Sequence, residues 1–409
     1  MKFEYFIAKR LISGSRYRFS KPTIRLIIFS IALGVSTVIL TVSVVRAYKA
    51  ALSGLMAGFA GHIQVVSYDV NQSFDASPVE KNAEYEQALS LLPDIVSVSP
   101  VAYKTGILKA GDEVEGVTLK GVEIPAYPFD FLAEHLVAGK LPAVSKNKKS
   151  NEILLSKIIS RNLHLNVRDT VRMYFFDKKN KMARGRRFIV SGIFQTHLEQ
   201  FDRRFAIGDI RHVQKLNHWD SLQISAYEIK AADFDRLEKL EQEVLRLTPY
   251  EYDVRRIDEV YPALFQWLSL HDKNVEVIIA LILMIASITM IALLLILVLE
   301  KIPFTGILKA LGCRNSCIRK IFIYQSIFIV GQGLVIGNLF SYALIFLQSK
   351  YHFISLNPEA YYLSYVPMQA TWADFLLINA GALLLGLTVL LVPSLVVAKI
   401  RPLQAIRFR

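Results

Sequence analysis

The sequence predicts an integral membrane α-helical protein with four transmembrane helices and a large α+β extracytoplasmic domain. Three observations predict it. The 409-residue chain is 53% hydrophobic, above the share usual for a soluble domain. The excess sits in four uncharged runs, Leu26–Val45, Val277–Leu299, Ile321–Ser349 and Phe375–Ala398, of 20, 23, 29 and 24 residues. The net charge of +13 is also unevenly placed: residues 1–25, 300–320 and 399–409 hold 16 Lys or Arg against two acids, Glu4 and Glu300. The remaining residues carry 32 basic and 33 acidic side chains.

A helix rises about 1.5 Å per residue, so roughly 20 residues cross a hydrocarbon layer ~30 Å thick. Only a helix satisfies its own backbone hydrogen bonds there, which makes each run a membrane-spanning candidate. Basic segments stay on the cytoplasmic side, so both termini and the loop 300–320 face the cytoplasm. The same bookkeeping accounts for the positive charge without nucleic acid as a partner.

The elements follow in order. Residues 1–25 form a basic, amphipathic cytoplasmic segment and residues 26–46 the first span. The 20-residue apolar run exceeds the ~7–15 residues of a signal-peptide core, so it reads as an uncleaved anchor. Residues 47–272 make the extracytoplasmic domain. HIQVVSY (62–68) alternates like a strand, EYEQALSLL (84–92) is a short amphipathic helix, and residues 96–124 read as several strands with Gly turns. Residues 170–194 predict a β-hairpin with a basic tip near Lys178–Arg187, and DFDRLEKLEQEVLRL (233–247) predicts a surface helix. VSKNKKS (144–150) reads as a loop, and GLMAGFAG (54–61) as close packing just outside the first helix. The second span is 273–299, the third 321–349 and the fourth 375–398, with an outer loop 350–374 between the last two and a basic tail, 399–409.

The chain lacks the signatures of several activities. There is no G-x-x-x-x-G-K-[ST], H-E-x-x-H or G-x-S-x-G, so it carries no P-loop, no zincin helix and no nucleophile elbow. No metal site is expected from Cys313 and Cys317, a C-x3-C pair without neighbouring ligands. His62, His164, His197 and His271 lie in separate elements and read as hydrogen-bonded surface groups. No charged residue interrupts the four runs, which argues against an ion path. Ser30, Ser36, Thr37, Thr41, Gln325, Gln332 and Asn338 within them read as groups that join helices, and Gly331, Gly333 and Gly337 as close helix contacts.

The loop 300–320 is the most informative stretch. In PFTGILKALG, Phe304, Ile307, Leu308 and Leu311 fall at i, i+3, i+4 and i+7, while Thr305 and Lys309 point the other way. Pro303 ends the preceding helix, Gly312 stops the short one, and Asn315 or Ser316 can cap the next. An exposed apolar face at the membrane surface has two uses: lying on lipid, or docking into a groove of a cytoplasmic protein.

LEKIPFTGILKALGCRNSCIRKIF (299–322) resembles the signature of FtsX/MacB-type ABC transporter permeases, and PSLVVAKIRPLQAIRF (393–408) resembles their ending. FAGHIQVVSYD (59–69) and ISLNPEAYYLSYVPMQATWADFLLIN (354–379) are similar to the LolC/LolE lipoprotein-releasing branch. This resemblance implies a multi-pass permease of the bacterial inner membrane, itself non-catalytic and binding no cofactor. ATP and Mg²⁺ would sit on LolD-type ATPase subunits, engaged through Phe304, Ile307, Leu308, Lys309, Leu311 and Gly312. Further implied partners are a second permease chain, a paralogue or a copy of itself, the lipoprotein cargo, membrane lipids and a LolA-type periplasmic chaperone.

An apolar wall for the cargo's acyl chains is expected from Ile39, Val42, Val45, Leu52, Leu55 and Met56 at the outer end of the first span. Val275, Ile278, Ile279 and Ile282 would continue it at the start of the second; core packing is the alternative for each. The hairpin tip, with Lys181, Met182 and Arg184, is open to two readings, a chaperone-capturing hook or a solvated turn. A MacB-like efflux or mechanotransmission permease, or a membrane sensor or scaffold with a receptor-like outer domain, are the rival functions.

Overall fold

A computed structural model of the protein describes residues 3–13, 20–68, 77–124, 127–143, 149–176, 183–234, 236–300 and 302–389. The chain divides into a helical unit (Met1–Lys49, Trp267–Ser355 and Tyr365–Arg409) and a mixed α/β unit (Ala50–Gln266 and Leu356–Ser364). Two helices open the chain, α1 (Phe3–Ser13) and α2 (Ser20–Ala60). Then come β1 (Ile63–Ser67), β2 (Val79–Glu80), α3 (Ala83–Ser90), β3 (Ile95–Ala110), β4 (Glu113–Val122), α4 (Asp130–Glu134) and β5 (Leu136–Gly139). They are followed by β6 (Glu152–Ser156), α5 (Lys157–Asn162), β7 (Thr170–Phe176), β8 (Ala183–Phe194), α6 (Glu199–Asp202) and β9 (Phe205–Asp209). Next are α7 (Ile210–Asn217), β10 (Gln223–Ile224), β11 (Ala226–Ala231), α8 (Leu237–Leu247), β12 (Tyr252–Arg256) and α9 (Ile257–Val260). The chain continues with α10 (Pro262–Glu300), α11 (Ile302–Ala310), α12 (Asn315–Tyr351), α13 (Pro358–Tyr361) and α14 (Trp372–Val389).

Among the described residues three helical stretches are long and apolar enough to cross a membrane, Pro22–Ala60, Lys273–Ala292 and Asn315–Tyr351, and Trp372–Thr388 is a shorter apolar helix. The run 375–398 continues beyond the described residues. The first helix does not stop at its uncharged run. Residues 47–60 hold Ala, Leu and Met and no Pro, so nothing breaks the hydrogen-bond ladder before Gly61. Gly61 ends it at φ +73°, a left-handed conformation that suits glycine. GLMAGFAG is therefore helical through Ala60, and the close packing expected there holds at Gly58, where a Cβ would strike the Phe131 ring.

In the helical unit α2 and α12 approach to backbone contact. A Cβ on Gly333 would lie 2.7 Å from Ile31 Cβ, and one on Gly337 2.8 Å from the Ala32 carbonyl oxygen. Ser36 Oγ donates to the Gly337 carbonyl at 3.0 Å, a polar tie between helices. Asn338 and Asn379 exchange amide hydrogen bonds of 2.7 and 2.9 Å, joining α12 to α14. Thr37 and Thr41 instead bond carbonyls of their own helix, at Leu33 and Thr37. Gly331 also departs from expectation: it faces open space, because two residues along a helix rotates it away from the Gly333–Gly337 stripe. Gly337→Ala should therefore cost about 1–3 kcal/mol by overpacking, whereas Gly331→Ala should be neutral or stabilising. Thermal melts of the two full-length variants in detergent check this.

In the mixed unit a ten-stranded sheet runs β12-β1-β11-β3-β4-β9-β6-β8-β5, with β7 pairing both β3 and β8. The 16 residues of β3 make this possible, pairing β11 at one end and β7 at the other while β4 follows from Val101 to Ala110. β4–β9 and β6–β8 are parallel and the other pairs antiparallel, so the sheet is mixed. Its core gathers Ile63, Leu108, Leu119, Ile153, Phe188, Val190 and Ile229. The amphipathic α8 buries Leu237, Leu240 and Val244, at i, i+3 and i+7.

His62 is not the surface group its sequence context implies: it is 8% exposed, and its Nδ1 accepts from the Ala231 amide at 2.9 Å. Burial, with Lys230 adding repulsion, lowers its pKa to about 4. A histidine neutral in the fold and titrating near 6.5 when unfolded supports stability above pH 6.5 and withdraws that support as pH falls towards 4. Between pH 7.5 and 5 the loss should be about 2 kcal/mol. In His62→Asn, whose side-chain oxygen can replace Nδ1 as acceptor without titrating, this component of the acid destabilisation should vanish, read by thermal shift at the two pH values.

Candidate functional site: an apolar cavity among helices

Within the helical unit a cavity of about 340 Å³ lies between α2, α10 and α14, with Val330 of α12 at its wall. Each helix supplies one stripe. Ile31, Gly34, Val35, Val38 and Val42 of α2 fall at i, i+3, i+4, i+7 and i+11, as do Ile279, Ile282, Leu283, Ala286 and Met290 of α10. Ile378, Gly381, Ala382 and Leu385 of α14 keep the same spacing. This is the period that holds a face along a helix. The volume exists because small residues stand on every stripe. A Cβ on Gly34 would meet Ala286 Cβ at 3.5 Å, whereas one on Gly381 meets nothing within 4 Å.

Among the described lining residues Ser30 alone carries a hydrogen-bonding side chain. The cavity offers no acid, base or ligand set, and among the described residues no cluster of His, Cys, Asp or Glu could hold a metal ion. What it offers is apolar volume, worth about 0.8 kcal/mol per buried methylene. At one end of the unit, Arg46 donates to both Asp374 carboxylate oxygens at 2.7 and 2.6 Å, and Asp374 accepts from the Thr371 amide and hydroxyl, which ties α2 to the start of α14.

The residues expected to form an apolar wall separate into four groups. Val42, Ile279 and Ile282 line the cavity. Ile39 is buried in the adjoining cluster with Val35, Met290, Val330 and Leu334. Val45 and Val275 are half-buried and Ile278 is exposed, all outside the lining. Leu52 and Met56 are fully buried and Leu55 half-buried, in the segment of α2 that belongs to the mixed unit. The lining also holds residues not expected there, Ile31, Gly34, Val35 and Val38 of α2 and the stripe of α14. The signal that finds them is the repeat of one spacing on three helices with a small residue in each.

The short helix α11 begins at Ile302, and its face is not the one the spacing implies. Leu308 is 7% exposed, packed with Ala8 and Ile321, and Phe304 and Cys313 close over it. Thr305 and Gly306 are buried too, while Ile307 and Leu311 are exposed, Leu311 at 78%. Lys309 is half-buried. The apolar stripe is shared: the basic N-terminal helix α1 covers one edge and the other stays open. Gly312 closes the helix at φ +88°; its amide donates to the Lys309 carbonyl and that of Cys313 to the Leu308 carbonyl, the paired bonds of a Schellman motif. Arg314, rather than Asn315 or Ser316, takes the N-cap position of α12, without a side-chain cap. At the β7–β8 hairpin, Lys181 and Met182 lie outside the described residues, and Arg184 Nη1 is 2.9 Å from His218 Nε2.

Residues 276–402 match the FtsX-like permease C-terminal family, and residues 26–247, more than half the chain, match the MacB-like periplasmic core domain. The chain belongs to the FtsX/MacB-type permease family. The Xylella fastidiosa (strain 9a5c) lipoprotein-releasing system transmembrane protein LolC is 22% identical over 93% of this chain and 92% of that protein. The Haemophilus influenzae (strain KW20 / Rd) lipoprotein-releasing system transmembrane protein LolE is 22% identical over 99% of both chains. The crystal structure of the periplasmic region of MacB from Actinobacillus actinomycetemcomitans aligns with 51% of this chain and 95% of that one, at 16% identity and a TM-score of 0.35.

In this FtsX/MacB-type permease the core-domain match begins inside α2 and ends at the last residue of α8, and the FtsX-like match takes in α11, α12 and α14. The cavity thus draws on both matched segments. Gly381→Leu should keep the fold, since the added side chain enters empty space and improves helix propensity. Excluding about two methylenes of a bound chain should weaken binding about tenfold. Crosslinking of a diazirine-bearing palmitoyl lipid to peptides of α2 and α10, at unchanged melting temperature, measures it.

Proposed function

We propose that the chain is the permease subunit of an ABC transporter that draws lipoproteins from the outer leaflet of the bacterial inner membrane and releases them towards a periplasmic chaperone. The observation that carries this reading is the near-full-length likeness to proteins named for lipoprotein release. The cavity supports it, because an acyl chain needs apolar volume and no catalysis. The sequence carries no P-loop, so ATP and Mg²⁺ belong to a partner of LolD type, and extracting a multiply acylated anchor against ~0.8 kcal/mol per methylene requires that energy. The fourth span is 375–398, and both termini are cytoplasmic by charge. A second permease chain completes the membrane part, and a LolA-type chaperone receives the cargo. In this reading Ile307 and Leu311 present the open edge of α11 to the ATPase, and Leu308 holds that helix in place.

The test uses spheroplasts depleted of this chain and supplied with purified chaperone. Lipoproteins should stay in the membrane, and release at the normal rate would sink the proposal. Restoring the chain as Leu311→Asp should give normal protein levels but at least about tenfold less co-purified ATPase and no release. ATPase recovery and release both at wild-type level in that variant would instead exclude docking through α11.

A further inference from the structure

A buried charge pair lies in the mixed unit where nothing in the proposed transport uses it. Lys120 of β4 and Glu228 of β11 are 1% and 4% exposed, and their side chains meet at 2.8 Å. Lys120 Nζ also donates to the carbonyl of Phe59, in the last turn of α2, and lies 4.7 Å above the Phe59 ring and 5.4 Å above that of Tyr127. Tyr103 of β3 donates its hydroxyl to the other oxygen of Glu228. Phe59 stacks on Phe201 at 4.7 Å, and Phe201 meets Tyr261, the residue before α10, edge-on at 5.1 Å. The chain leaving α2 is held by the same strand: the His62 amide donates to the Ile229 carbonyl at 2.7 Å, and the Ile257 amide at the start of α9 donates to the His62 carbonyl at 2.9 Å.

Packing alone does not explain a charge here. A buried ion pair stabilises a fold poorly compared with an apolar plug of the same volume, because both charges must leave water. What it adds is direction. The ammonium carries three donors, and a cation suits the negative end of a helix. Lys120 therefore fixes the carbonyl end of α2 against two strands at a defined angle, which non-directional apolar contact does not. The aromatic stack carries that position on to Tyr261, one residue before α10 begins. α2 and α10 are the two helices whose 31–42 and 279–290 stripes line the cavity.

We propose that Lys120 and Glu228 are positioning residues, a joint that holds the outer ends of α2 and α10 in register on the sheet and is required for the transport cycle. The transport half of this proposal rests on the permease reading; the positional half does not.

The experiment uses the full-length chain in lipid nanodiscs, with Cys313 and Cys317 replaced by Ser and spin labels at positions 54 and 263, on α2 and α10. A label pair at positions 96 and 114, on β3 and β4, is the internal reference. The wild-type pair 54–263 should give one narrow distance distribution. In the double variant Lys120→Met/Glu228→Leu, which keeps bulk and removes direction, that distribution should broaden at least about twofold, because two rigid anchors are replaced by sliding contact. The reference pair should not change. A distribution as narrow as wild type, broadening of both pairs alike, or loss of folded protein would each overturn the joint. With its ATPase and chaperone supplied, the same variant should release lipoprotein at least about tenfold more slowly at unchanged ATPase recovery, and release at the wild-type rate would overturn its part in transport. A wild-type chain that releases nothing would refute the permease reading and leave the distance result standing.

Discussion

The contact of α2 with the glycines of α12 sets the rotation of α2, and the site follows from that rotation. With Ala32 against Gly337, Ile31 against Gly333 and Ser36 bonded to the Gly337 carbonyl, one side of α2 is committed to α12. At 100° per residue this turns Gly34, Val38 and Val42 towards α10 and α14. In hydrocarbon no hydrophobic force distinguishes one apolar face from another, so close backbone approach and a few hydrogen bonds decide orientation. The Asn338–Asn379 amide pair does the same for α14, and Arg46 with Asp374 fixes where α14 starts. The cavity walls are thus held from behind by polar ties, while the walls themselves remain apolar.

What was legible in the sequence divides along the same line. Uncharged runs and the placement of 16 basic residues mark out long helices and a large segment between the first two, because those features are local and additive. The β7–β8 pairing, the helix α8 and the 62–68 strand follow from two periodicities, and they appear where the spacing puts them. The end of the first helix was not legible from charge. Arg46 and Lys49 interrupt apolarity, but an α-helix needs only an unbroken backbone ladder, and that lasts until Gly61.

The site was legible only in part, for reasons that concern neighbours. An apolar stripe does not say which neighbour it meets. On α11 the periodicity of Phe304, Ile307, Leu308 and Leu311 is real, yet α1 takes Leu308 and leaves Leu311, so one stripe serves two purposes. On α10 the expected wall stops at Ile282, whereas the lining continues to Met290, where small residues on facing helices leave room. Lys120 and Glu228 stand 108 positions apart in the chain and in separate strands, and no periodicity links a lone Lys to a lone Glu at that distance.

The chemistry that is present follows from the chemistry each region can support. A wall of Ile, Val, Leu, Gly and Ala solvates hydrocarbon and offers no group that could carry a proton. Two of the three helices that supply its stripes, α2 and α10, each run into the mixed unit as one element, with residues from Ala50 onward and up to Gln266 belonging to that unit. An interior packed at crystal-like density passes on displacement instead of absorbing it. A buried, hydrogen-bonded charge at the end of such a helix resists sliding in a way that leucines do not, since every ångström of travel breaks a directed bond in a low-dielectric setting. Directed bonds thus stand at the end of α2 and undirected contacts along the cavity.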